Sequence, residues 1–292
     1  MKNSIVWYKV RPYVMIAPAM LGIFTFVIYP IIYLIYLSLF KYSLINRAKS
    51  KFIGLNNYIQ ILTREDFYRS LLNTVVYSVG VVTAIMLLSL LVAVWLKNNS
   101  KWNELVRAGM FTPHIISIVS ISLVWLWLME PSQGILNFIL KSVGLPTSTW
   151  LQSSRTAMIS IIIVSIWHSL GYYTLIVYAA LQGLPKDIYE AAALDNAGRC
   201  RIFFQITLPL ISPQLFFILI IMTIGSFKVF DTIQIMTGGG PNGATETLVY
   251  YIYSYRSTNI GYASATGVIL MAIIGVFTII YFKLLSQKVH YQ

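Results

Sequence analysis

Six stretches of this chain run without a charged residue for long enough to cross a lipid bilayer, and no other feature restricts the possible folds as strongly. They lie between Arg11 and Lys41, Arg69 and Lys97, Arg107 and Glu130, Arg155 and Lys186, Arg201 and Lys228, and Arg256 and Lys283. A helix needs roughly 20 predominantly apolar residues to cover the hydrocarbon core. Backbone amides in lipid must be hydrogen-bonded within their own segment, so runs of this length predict helices and not the roughly 10-residue alternating strands of a barrel. The expected fold is all-α, an integral membrane bundle of about six transmembrane helices forming one domain over residues 1–292. The predicted spans cover about 12–40, 70–96, 106–129, 156–182, 203–230 and 258–284.

The solvent implied by composition is the same: 58% of residues are apolar and 10% charged, where a soluble domain carries about 25% charged. Cys200 is the sole cysteine, so neither an internal disulfide nor a zinc ligand set is expected. A net charge of +12 invites a nucleic-acid reading. The basic residues are scattered between apolar stretches, however, and form no continuous stripe. Lys2, Lys9 and Arg11 precede the first apolar run as in a signal peptide, but the uncharged stretch from Pro12 to Phe40 is too long for a cleaved one and is expected to stay as the first helix.

Six spans put both termini on one side of the membrane. With the termini inside, the inner segments hold Lys2, Lys9, Arg11, Lys97, Lys101, Arg107, Lys186, Arg199, Arg201, Lys283 and Lys288, and two outer loops hold only Lys141, Arg155 and Arg256, as the positive-inside rule requires. The first outer loop breaks the rule with Lys41, Arg47, Lys49, Lys51, Arg64 and Arg69. Charge counting alone leaves the orientation open.

Between spans four and five, the loop at about 184–209 reads on to Pro213 as LPKDIYEAAALDNAGRCRIFFQITLPLISP. Pro185 suits the first position of a helix, Asp187 and Glu190 favour its early turns through the helix dipole, and Asn196 and Gly198 tolerate a left-handed stop. A short helix at the membrane surface is predicted. Ala191, Ala192 and Ala193 keep part of it slim enough for a groove on another protein, and Glu190 offers a carboxylate to a basic partner. The same pattern also suits an ordinary amphipathic connector.

Glu190, Ala191 and Ala192, with Asp195, Asn196 and Gly198 and then Ile206, Leu208 and Pro209, resemble the EAA loop of ABC importer permeases. Asn196 stands where that family usually has glycine. The segment from Phe52 to Leu62 (FIGLNNYIQIL), Asn73 with Thr74, and the segment from Thr237 to Tyr253 (TGGGPNGATETLVYYIY) are similar to the maltose and glycerol-3-phosphate type of permease. The resemblance implies the transmembrane permease of an ATP-driven, binding-protein-dependent importer in a bacterial inner membrane, multi-pass, with both termini cytoplasmic. It implies a sugar or oligosaccharide as cargo, or else glycerol-3-phosphate or a glycerophosphodiester. It also implies four kinds of partner: a second homologous permease, two ATPase subunits, an extracellular solute-binding protein and the lipid bilayer. In such a complex the helix around Glu190 sits in a cleft of an ATPase subunit, and ATP and Mg belong to those subunits. No cofactor, metal or catalytic residue is expected on this chain, and no nucleic acid among its partners.

Independent reading of the residues agrees that the chain has no catalytic centre. A phosphate loop needs Gly-Lys followed by Ser or Thr; Gly238 to Gly240 instead precede Pro241, which predicts an outer turn. His114, His168 and His290 are dispersed. An ion-coupled carrier would use intramembrane carboxylates, and only Asp231, at the end of span five, qualifies. Two groups are candidates for the substrate path. Ser226, Lys228 and Asp231 follow the apolar run of span five, and helical spacing places both charges on one face; alternatively span five ends early and Lys228 reaches the outer interface. Span four carries Trp167, His168, Gly171, Tyr172 and Tyr173, where aromatic faces suit a sugar ring and glycine suits its close approach. These same residues also suit helix packing and interfacial anchoring.

Overall fold

The computed structural model describes residues 2–42, 50–98 and 100–285, with side chains from Val10 to Lys283. Lys2, Lys9, Arg47, Lys49, Lys288 and His290 are therefore placed outside the described residues or without a described side chain. In chain order come α1 (Lys2–Ile23), α2 (Tyr29–Ser38), a short hairpin of β1 (Phe40–Lys41) and β2 (Lys51–Phe52), α3 (Asn56–Leu62), α4 (Glu65–Trp95), α5 (Lys101–Ile115), α6 (Ile118–Leu128), α7 (Ile135–Ser142) and α8 (Ala157–Gln182). The remainder comprises α9 (Lys186–Leu194), α10 (Arg199–Ile202), α11 (Leu208–Leu210), α12 (Ser212–Phe227), α13 (Asp231–Met236), α14 (Leu248–Tyr255) and α15 (Ile260–Leu285). The all-α expectation holds, since the hairpin strands are two residues each.

Five helical stretches are long and apolar enough to cross a membrane: Val10–Ser38, Glu65–Trp95, Ala157–Gln182, Ser212–Met236 and Ile260–Lys283. The sixth crossing requires α5 and α6 together, and that pair is bent by 99°. This corrects the expectation of an unbroken third span. The break follows Pro113, which has no N–H for the carbonyl one turn back, and Ile116 and Ser117 then take extended ψ values of 141° and 130°. The fifth span is corrected too. It bends at Ile211, α12 stops at Phe227, and α13 carries the chain on to Met236. The second span begins at Glu65, earlier than its uncharged run, because Glu65 and Asp66 occupy its first turn, where the positive end of the helix dipole favours carboxylates.

Two interruptions share one cause. The five-residue π turns at Phe24–Ile28 and Phe203–Thr207 each end two residues before a proline, Pro30 and Pro209. A proline ring collides with the carbonyl four residues back, and a π turn moves that carbonyl aside without opening the hydrogen-bond ladder to lipid. Pro12 and Pro18, by contrast, lie inside α1 without such a turn.

The chain divides into two compact units, Met1–Arg64 with Ile252–Ala272, and Glu65–Tyr251 with Ile273–Gln292. In the first, the buried Asn57 donates to the carbonyls of Ser38 (2.7 Å) and Phe40 (3.0 Å), closing the hairpin onto α3. Gly261 lies so close to the Phe40 carbonyl that any side chain there would overlap it. In the second, α4 packs on α8 and α12, α5 on α8, and α13 on α6. Small polar residues occupy these contacts: Tyr77 donates to Ser165 Oγ (2.8 Å) and Ser78 bonds Ser226 (2.5 Å), joining α4 to α8 and α12. Large apolar side chains such as Phe26 (81% exposed) and Leu72 (62%) point outward, the arrangement expected when the surrounding solvent is lipid and interfaces are made by small and polar residues.

Several of the loops between spans are tied down by asparagines and a threonine. Asn73 donates to the carbonyls of Gly243 (2.9 Å) and Glu246 (3.0 Å), and Thr74 Oγ1 accepts the Leu248 N–H (2.9 Å), so the stretch from Gly243 to Leu248 is held on α4. Arg64 donates to Tyr255 (3.0 Å) and Arg69 to Asp66 (2.8 Å); two of the basic residues between the first two uncharged runs thus have partners. Buried Asn137 uses its whole amide, donating to Pro131 and Ser148 carbonyls (2.9 and 2.8 Å) and accepting from the Ser148 N–H (3.1 Å) and Trp150 Nε1 (2.9 Å).

Asn137→Ala leaves four groups without a partner. At about 1 to 3 kcal/mol for a buried group left unsatisfied, it is expected to lower the thermal stability of the purified protein clearly, whereas Ser142→Ala, on the exposed side of α7, leaves it unchanged. A pH effect is expected at Glu246. Burial raises its carboxyl above the ordinary value of 4.5, nearby Asp66 adds to the rise, and Arg69 (3.9 Å) offsets it in part. A raised carboxyl pKa contributes stability that is full at low pH and lost as pH rises through the folded value. Melting curves of wild type and Glu246→Gln should therefore show the wild type gaining on the variant as pH falls from neutrality toward 4.5.

Candidate functional site

Helix α9 has one fastened face and one free face. It begins at Lys186 with Pro185 as an extended cap, one residue later than the sequence suggests. Its end is a Schellman turn: the Ala197 N–H bonds the Ala192 carbonyl (3.0 Å) and the Asn196 N–H bonds that of Ala193 (3.1 Å). Asn196 takes the left-handed conformation this turn needs, at φ 52°, while Gly198 has φ −65° and caps α10. On the fastened side Ala192 is buried, Tyr189 bonds Thr207 (3.0 Å), and the Lys97 ammonium lies 4.2 Å from the Tyr189 ring centre. On the free side Glu190, Ala191, Leu194 and Asp195 are exposed. Leu194 is 88% exposed, and Glu190 has no ion pair among the described residues. The helix is slim, its back is fixed to the bundle, and its free face presents two carboxylates, Glu190 and Asp195, beside the bare Leu194.

Deeper in the bundle, α8 meets α5 at an aromatic cluster. The His114 ring stacks on Tyr172 (4.4 Å, 18° between planes) and lies 5.3 Å from His168; Tyr173 meets Tyr172 edge-on at 5.0 Å. Nδ1 of His114 and Nε2 of His168 have no hydrogen-bond partner among the described residues. His114 was not among the site residues expected from sequence: it stands 54 positions from His168 (168 − 114), and only the packing of α5 on α8 joins them. No group of three or more metal-binding side chains occurs among the described residues. The role expected of Gly171 is corrected: its open side faces the backbone of Met110 and Phe111, which a Cβ would overlap. It allows two helices to touch and leaves no room there for a ring. Trp167 lies on the rim, edge-on to Trp125 at 5.5 Å.

The span-five group separates. Ser226 is buried and bonded to Ser78 and to the Thr223 carbonyl (2.8 Å). Lys228 is the exposed C-cap of α12 and Asp231 the exposed first residue of α13. Because Lys228, Val229 and Phe230 interrupt the helix, the two charges do not share a helical face, and no ion pair between them occurs among the described residues. At Gly239, φ 80° and a position 2.7 Å from the Tyr250 ring for any added Cβ make the glycine run a tight turn.

Residues 71–291 match the family described as binding-protein-dependent transport system inner membrane component. The chain is 37% identical over 272 residues to a probable ABC transporter permease protein, YurN, of Bacillus subtilis, covering 91% of this chain and 92% of the relative. It is 32% identical to the sn-glycerol-3-phosphate transport system permease protein UgpA of Agrobacterium fabrum (97% of both chains) and 32% identical to the trehalose/maltose transport system permease protein MalF of Thermococcus litoralis (93% and 92%). In fold it is similar to a chain of a bacterial alginate ABC transporter solved with an alginate pentasaccharide-bound periplasmic protein, with a TM-score of 0.85 at 22% identity over 96% of this chain and 97% of that one.

The α5–α8 contact yields a direct test. Gly171→Ala drives a methyl into the Met110 carbonyl, an overpacking that typically costs about 1 to 3 kcal/mol, whereas Gly109→Ala meets nothing within 4 Å. Thermal denaturation of the two variants should show the first destabilised and the second unaffected, apart from the usual gain of alanine in a helix.

Proposed function

The chain belongs to the family of binding-protein-dependent transport system inner membrane components, and we propose that it is the permease subunit of a sugar importer that works by alternating access, with α9 as its coupling helix. The observation that carries this is the free face of α9: an exposed Glu190 without an ion pair, on a helix whose other face is anchored through Tyr189 and Ala192. An ATPase arginine pairing with Glu190 would let closure of an ATPase dimer pull on α9 and turn the bundle outward. ATP and Mg are held by those ATPase subunits, a second permease completes the pathway, and an extracellular binding protein delivers the cargo. This reading places both termini and α9 in the cytoplasm.

His168, Tyr172 and Tyr173, joined by His114, form the part of the path that suits a sugar: stacked rings for its apolar face, beside two buried ring nitrogens with no hydrogen-bond partner among the described residues. The second reading is import of glycerol-3-phosphate or a related phosphodiester. It is favoured by Lys228, an exposed cation at the break in span five with no ion pair among the described residues, and by the relative named for that cargo.

Glu190→Ala in the reconstituted complex is expected to abolish stimulation of ATP hydrolysis by the binding protein at normal complex yield, since removing one partner of a desolvated charge pair costs about 2 to 5 kcal/mol. Unchanged stimulation would remove α9 from the coupling role. Tyr172→Ala is expected to lower uptake several-fold while ATP hydrolysis persists; a competition assay with maltose and with glycerol-3-phosphate separates the two cargo readings.

A further inference from the structure

A cavity of about 470 Å³ lies behind the coupling helix, between the end of α4, the end of α8, α9 and the Phe203–Thr207 turn. Its polar lining is Lys97, Asn98, Tyr189, Arg199 and Thr207, and Val94 and Phe203 contribute to an apolar wall. No carboxylate lines it, and neither Lys97 nor Arg199 has an ion pair among the described residues. The hydroxyls of Tyr189 and Thr207 bond each other, and the nearest compensation for the Lys97 ammonium is the quadrupole of the Tyr189 ring, 4.2 Å away. Such a contact is worth about 0.5 to 1 kcal/mol at an exposed site and leaves the positive charge in place. Lys97 is half-buried and Arg199 exposed, and two cations lining one hollow repel one another unless an anion joins them.

The depth of the cavity identifies the source of that anion. Trp95, next to Lys97 in sequence but one, and Trp102, at the start of α5, are each 66% exposed, and Phe204 is 64% exposed beside Phe203. Exposed tryptophans at the ends of spanning helices mark the headgroup level of a bilayer, and basic pockets between spanning helices at that level attract anionic headgroups. We propose that the Lys97–Arg199 cavity binds a phosphate, and that the phosphate is the headgroup diester of an anionic lipid, with its glycerol against the Val94 and Phe203 wall. A headgroup held there ties the end of the second span to α10 directly behind Tyr189, so the lipid composition of the membrane sets how firmly the coupling helix is backed. The binding itself does not depend on the cargo or on the role of Glu190.

The test uses the complete complex with its ATPase subunits in nanodiscs of phosphatidylcholine with and without phosphatidylglycerol, with native mass spectrometry to count retained lipid. Wild type is expected to retain phosphatidylglycerol, and Lys97→Gln with Arg199→Gln to retain it roughly 30-fold more weakly, following the attraction per basic residue near an anionic surface. Lys141→Gln with Arg155→Gln, in outer loops, should retain it as wild type does. Should the double variant fail to assemble, Arg199→Gln alone must lose lipid that Lys97→Arg with Arg199→Lys keeps. Equal retention by wild type and the charge-removing variants overturns the proposal. Retention only after the ATPase subunits are stripped also overturns it, because a protein group then fills the cavity. Inorganic phosphate added to phosphatidylcholine discs is the other arm: if it binds at Lys97 and Arg199 while phosphatidylglycerol does not, the lipid assignment is wrong.

Discussion

In lipid a backbone amide has no water to fall back on, so every interruption of a spanning helix must find its own repair. The whole architecture follows from this demand. Where Pro30 and Pro209 remove a rung, the chain widens into π turns that keep the remaining hydrogen bonds inside the helix. Where α5 gives way to α6, the extended residues Ile116 and Ser117 follow directly after the His114 cluster and are exposed. Irregular backbone within a membrane is tolerated where protein or a water-filled cavity surrounds it.

With the exterior in hydrocarbon, apolar surface offers no drive for helices to associate, and the contacts are made by small and polar side chains. Ser78, Ser165 and Ser226 join α4 to α8 and α12, and Gly171 lets α8 rest on the backbone of α5. The same economy of volume explains how α9 sits. Ala192 on its inner face brings α9 close to the bundle, and the bulk is supplied at one position by Tyr189, which meets both Lys97 and Thr207. Held closely on one side, α9 leaves Glu190, Ala191, Leu194 and Asp195 exposed on the other.

The form of the α9 segment could be read almost entirely from the sequence because its determinants are local. Asp187 near the start and Asn196 at the stop act within a turn of where they stand, and the turn at Asn196 forms with the geometry its side chain permits. The aromatic cluster of α5 and α8 could not be read in this way. Tyr172 and His168 are visible as a polar and aromatic interruption of span four, but nothing near them in sequence announces His114, and nothing shows that Gly171 is occupied by Met110. Lys228 and Asp231 illustrate the opposite error: their spacing suggests a shared face only while the helix is assumed continuous, and the chain breaks between them.

What the amino-acid order determined by itself was the solvent, the all-helical class, the approximate number of crossings and the surface helix with its cap, because hydrophobic run length, charge placement and capping are properties of neighbouring residues. Tertiary structure alone decided which helices touch, that span three bends by 99°, that His114 and His168 share one cluster, and that Lys97 and Arg199 line one cavity. Those outcomes depend on the close approach of segments tens of residues apart. In a bilayer such approach is selected by shape and a few interhelical hydrogen bonds, neither of which leaves a periodic trace in the chain.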